Sequence, residues 1–100
     1  MSTSKSPTAQ GISRLLREAG FTRSELYPKG PRRGEVRIGG FHVTASNTEP
    51  GVLVRYWPLL STGLAGNQAM LARYAEALSG YGVEMRRHEL IVTAKEDSQP

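Results

Sequence analysis

The chain reads as an α+β domain: a two-layer sandwich, α-β-β-β-α-β(β), with two helices on one face of a mainly antiparallel sheet. Three observations predict it. Apolar residues recur at helical spacing in two segments, one near the start and one in the second half. Between them, Glu35 to Trp57 alternates apolar and polar residues, with turn residues at its joints. A further alternating run follows the second helical segment.

The first helix is expected from about Thr8 to Ala19, where Ile12, Leu15, Leu16 and Ala19 share a face and Arg14, Arg17 and Glu18 lie off it. Gly20 closes it as a left-handed cap and sets Phe21 against the last turn. Residues 22–34 contain YPKGPRRG and read as an exposed loop. In EVRIGGFHVT, Gly39-Gly40 reads as a two-residue hairpin turn, because glycine adopts positive φ freely. That register sets Ile38 against Phe41 and Val36 against Val43 on an apolar face. Glu35 against Thr44 and Arg37 against His42 fall on the other face.

Ser46 to Gly51 is turn chemistry, and Val52 to Trp57 is the third strand, stopped by Pro58. The second helix is expected from about Asn67, as N-cap, to Ser79, with Met70, Leu71, Tyr74 and Leu78 on a broad apolar face. Gly80-Tyr81 repeats the Gly20-Phe21 ending. Leu90 to Thr93 is a strand, and Val83 to Arg86 pairs with it through a turn near Arg87-His88. Residues 1–7 and 95–100 are polar and read as frayed tails around a single domain spanning 8–94.

Composition narrows the function. One hundred residues with 38% hydrophobic and 22% charged content suit one globular domain. No apolar run has the length of a membrane span, and the N-terminus lacks the apolar stretch of a signal segment. Cysteine is absent, which removes disulfides and thiolate metal sites and makes the cytoplasm the default compartment. The single aspartate is Asp97, and His42 and His88 match no metal-ligand spacing, so neither metal nor cofactor is expected. No set of nucleophile, base and orienting group is found, nor a phosphate-loop motif, so the chain reads as a binding protein and not an enzyme.

A net charge of +4 favours a polyanion, with nucleic acid the first candidate. Binding of single strands uses guanidinium groups for phosphates and an aromatic ring for stacked bases. In the register above, Arg37, His42, Arg55 and Trp57 share the solvent face of the sheet, with Glu84 and Arg86 on a later strand. Lys29, Arg32 and Arg33 extend the site as phosphate contacts, while Glu35 and Glu84 interrupt it. The alternative is a protein-interaction module, such as a homodimer, because Leu53 and Trp57 are bulky groups to leave in water. In the opposite register of the third strand, Leu53 and Trp57 enter the core and the face loses its ring.

Two resemblances are topological. The order α-β-β-β-α up to Leu78 resembles the double-stranded RNA-binding domain, but GLAGNQAMLARYAEAL carries Arg73 as its only cation where that family has a lysine cluster. Gly63-Leu-Ala-Gly66 is similar to the GxxG loop of KH domains, although its middle pair is apolar and no full helix precedes it. The combination of ISRLLREAGFTRS, a basic loop, RIGGFHV and LARYAEALSGYGVEMRRHELIVTA resembles small uncharacterised proteins of actinobacteria and their phages. That resemblance implies a cytoplasmic accessory or mobile-element protein and assigns no site.

Overall fold

The computed structural model describes residues 7–60 and 63–94; apart from Pro7, the expected frayed tails lie outside the described residues. Helix α1 (Ala9–Glu18) starts at Thr8, whose hydroxyl accepts a hydrogen bond from the Gly11 amide at 3.0 Å. It ends as expected: Gly20 has a φ of 100°, and the Phe21 amide bonds back to the Leu16 carbonyl at 3.0 Å.

Four strands precede a second helix and two follow it: β1 (Glu25–Leu26), β2 (Val36–Ile38), β3 (Gly40–Ala45), β4 (Val52–Trp57), then α2 (Gly63–Ala77), β5 (Gly82–Met85) and β6 (Leu90–Thr93). The main sheet is antiparallel with spatial order β3-β4-β6-β5, and β1 and β2 form a separate two-stranded ribbon. The class is therefore α+β, with α1 and α2 packed on the inner face of the main sheet.

The hairpin expected at Gly39-Gly40 does not form. Strand β2 pairs with β1, Ile38 opposite Glu25 and Val36 opposite Leu26, while β3 pairs with β4. Neither glycine has a positive φ, so neither makes the tight turn that such a hairpin needs. Both serve close approach instead. A Cβ on Gly40 would lie 2.0 Å from the Thr22 carbonyl oxygen, and one on Gly39 would lie 2.6 Å from the Leu59 nitrogen. The chain at Thr22–Ser24 runs along the start of β3: the Phe41 amide donates to the Thr22 carbonyl (3.0 Å) and the Ser24 amide to the Phe41 carbonyl (2.8 Å). The segment read as a loop thus holds a strand, β1, and the ribbon closes through Tyr27, with its amide on the Glu35 carbonyl at 3.0 Å.

The other elements lie near their expected places. Helix α2 begins four residues before Asn67, so Gly63 to Gly66 is its first turn, not a loop of KH type. Gly80 lacks the positive φ that Gly20 has, and only the first of the two similar helix endings is a left-handed cap. The β5–β6 hairpin turns at residues 86–89, where the Arg86 amide donates to the Glu89 carbonyl at 2.8 Å.

The register of β3 on β4 sorts the faces. Phe41, Val43 and Ala45 stand opposite Tyr56, Val54 and Val52, and β6 adds Leu90 and Val92 to the same inner face. Ile12 and Leu16 from α1, Leu71 and Tyr74 from α2 and Leu78 just after it close on it, each at most 1% exposed. Burying each such side chain contributes roughly 1.5–3 kcal/mol. Tyr74 is the hub, meeting Phe21, Phe41 and Tyr56 edge-on at 4.8, 6.1 and 6.3 Å between ring centroids.

Candidate functional site

Alternation in β3 and β4 leaves His42 and Thr44 with Trp57, Arg55 and Leu53 on the outer face. Trp57 therefore points outward, and its indole stacks on the His42 imidazole with centroids 3.8 Å apart and planes 10° from parallel. The ring expected on this face is present and held.

The cations of this face are largely neutralised. Arg55 donates to Glu89 through Nε (3.0 Å) and Nη2 (2.9 Å). Arg86 grips both oxygens of Glu49, at 2.8 and 3.1 Å, and its Nε reaches Glu84 at 3.2 Å. These bonds hold the Glu49 carboxyl below its ordinary value and push the Arg86 guanidinium above its own. The bridge ties the β3–β4 loop to the β5–β6 hairpin across the outer face, and Ile91, paired with Leu53 on that face, is only 4% exposed. Arg37 is not beside His42 in the sheet as expected; it lies on the ribbon, bonded to Glu25. Arg32 sits over the Tyr27 ring at 4.8 Å and pairs with Glu35 at 3.5 Å. Lys29 and Arg33 are exposed on the ribbon's loop with no ion pair among the described residues.

Charge without a partner collects elsewhere. A polar groove of about 700 Å³ between α1 and the edge of β3 is lined by Gln10, Ser13, Arg14, Arg17, Glu18, Arg23, His42 and Val43. A second cleft of about 470 Å³ opens between the ribbon and the outer face, bordered by Arg23, Ser24, Glu25, Arg37, His42 and Trp57. Arg23 and His42 line both, so the two form one path around the β3 edge. Among the described residues, none of Arg14, Arg17 and Arg23 has a carboxylate within ion-pair distance.

His42 sits where the clefts meet. Burial, then the charges of Arg55 and Arg23, lower its pKa from 6.5, so the imidazole is neutral at pH 7. A neutral ring can stack on an indole and still gain a proton when an anion arrives. The path thus joins guanidinium groups with a fixed aromatic surface, the combination that serves phosphates and planar bases.

Of the residues expected from sequence, His42 and Trp57 meet at this path together with Arg37, and Arg37, Arg55 and Arg86 are each paired with a carboxylate. Arg14, Arg17 and Arg23 were not expected. The spacing of Arg14 and Arg17 showed that they share the solvent side of α1, but nothing local showed which strand edge that side borders.

No group of His, Asp and Glu able to hold a metal ion occurs among the described residues, and no helix there is long and apolar enough to cross a membrane. Comparison with protein-family models, with curated proteins and with solved structures finds no match for this chain.

Proposed function

We propose that this protein acts by binding, without catalysis, and that its ligand is nucleic acid whose phosphates run along the path formed by Arg14, Arg17 and Arg23 to the His42–Trp57 stack. One observation carries the reading: three arginines with no carboxylate partner among the described residues converge on a groove continuous with an outward aromatic stack. Guanidinium groups not already paired gain most from a phosphate, since no internal bond must first be broken. Lys29 and Arg33, exposed on the ribbon loop, add to the positive field of the protein.

The test is a titration with labelled single-stranded and duplex oligonucleotides at low and at physiological salt. Binding at low salt that weakens with salt supports the reading. Absence of binding at low salt, or loss on Arg55→Ala rather than on Arg23→Ala, removes it.

A second reading, self-association as part of an accessory protein, draws on Leu59 and Leu60, which follow Trp57-Pro58 and are 60% and 79% exposed. Sedimentation over a range of concentration tests it: a dimer dispersed by Leu60→Ser supports association, and a monomer throughout excludes it.

A further inference from the structure

Trp57 borders two spaces with different surroundings. One is the polar cleft, which it shares with His42, its stacking partner. The other is a smaller, shallow slot of about 330 Å³ lined also by Leu26, Gly34, Val36 and Pro58, in which His42 takes no part. Leu26 and Trp57 belong to both spaces, so the slot opens directly beside the polar cleft. From the geometry we infer that this slot is the seat of one unpaired nucleobase, stacked on Trp57, with its backbone phosphate in the adjoining cleft.

The inference rests on the proposed function and adds the ligand class, a single strand. The volume falls within the range of about 300–1,000 Å³ typical of small-ligand sites. The walls are apolar apart from the ribbon backbone, and Gly34 contributes no side chain, which suits the flat, weakly polar face of a base. Arg23 lines the polar cleft next door, where the sugar–phosphate chain of that base would pass, while Arg37 there is paired with Glu25. His42 stacks on the indole, so the ring presents a fixed platform. A duplex keeps its bases stacked on one another and offers nothing to the slot, whereas a single strand can turn a base out at small cost.

Trp57 is the sole tryptophan, so the fluorescence comes entirely from the ring at this seat. The experiment compares a single-stranded oligonucleotide with an abasic strand of equal length and charge and with a duplex, reading both strand anisotropy and tryptophan emission. The base-bearing strand should bind more tightly than the abasic one and should alter the emission, which the abasic strand and the duplex leave nearly unchanged. Trp57→Leu should weaken the base-bearing strand roughly five- to a hundredfold and the abasic strand hardly at all. Trp57→Phe keeps a ring and should retain most of the affinity, which guards against a variant that merely misfolds. Equal affinity for base-bearing and abasic strands, both still weakened by Arg14→Ala and Arg23→Ala, would remove the seat and leave the phosphate path standing. No binding by any strand at low salt would overturn both. A dimer in sedimentation that Trp57→Leu disperses would give the slot to a second copy of the chain and also overturn the inference.

Discussion

The imidazole of His42 lies flat on the indole of Trp57, although the two are diagonal neighbours and not direct partners across β3 and β4. The residue opposite Trp57 is Gly40, and the residue opposite His42 is Arg55. A side chain at Gly40 would run into the backbone of Thr22 and Arg23, and Gly40 is buried. The stack therefore sits beside a glycine that admits the Thr22–Ser24 segment to the edge of β3.

Gly40→Ala should be among the most damaging small substitutions in the protein. Its Cβ would meet backbone at 2.0 Å, which no rotamer change relieves. A loss of about 3 kcal/mol is expected in chemical denaturation, together with a change in Trp57 emission. Gly34→Ala, at a φ of 86° with open space around it, should cost only about 1 kcal/mol.

Acid should weaken the fold through His42. Its folded pKa lies below 6.5, so as pH falls the unfolded chain takes the proton first. The stability contribution is complete above pH 6.5 and declines as pH drops through the lowered folded value. His42→Phe, which keeps a ring on Trp57, should flatten that part of the pH–stability curve. Oligonucleotide affinity should move the other way, because a phosphate beside Arg23 favours the imidazolium, and binding should tighten from about pH 7.5 to about pH 5.5. Isothermal titration in buffers of different ionisation enthalpy would detect the proton uptake, which His42→Phe should abolish.

Glu49→Gln should lower the melting temperature at neutral pH by loosening the bridge to Arg86 that crosses the outer face. The Glu49 carboxyl sits below its ordinary 4.5 through hydrogen bonds from Arg86, so its contribution is present above that pH and lost as pH falls below it. The gap between wild type and variant should close as the pH falls through the lowered folded value. Oligonucleotide affinity at pH 7 should not change, since Arg86 is committed to carboxylates.

Tyr74→Leu should cost about 3 kcal/mol in denaturant, because one ring sustains three edge-on contacts. Burial first, then neighbouring Tyr56, pushes its phenol well above the usual 10. Of the four tyrosines, Tyr74 should therefore not contribute phenolate absorbance until the chain unfolds, and stability from this residue should fade as pH rises beyond 10.

The helices and the β5–β6 hairpin were legible in the sequence because each follows from local periodicity or local turn chemistry, whereas the side taken by Trp57 stayed open between two registers until the pairing of β3 with β4 decided it. Gly39-Gly40 was misread because a glycine pair has two uses, a positive-φ turn and a close backbone approach, and its own neighbours do not distinguish them. The partner that decides is Thr22, distant in sequence and hidden in what read as a loop. The same limit applied to charge. Arg37, Arg55 and Arg86 look alike as exposed cations until the fold brings Glu25, Glu89 and Glu49 to them. Arg14, Arg17 and Arg23 have no carboxylate partner among the described residues for the complementary reason, that the fold brings them a strand edge.

The salt dependence of single-strand binding, measured on the wild type and on the Arg14→Ala, Arg17→Ala, Arg23→Ala triple variant, tests the phosphate path most directly. Three phosphate contacts on a single strand predict that the slope of log affinity against log salt is shallower in the variant by about 2. An unchanged slope in the triple variant, with the loss appearing instead in Arg55→Ala or Arg86→Ala, would contradict the account.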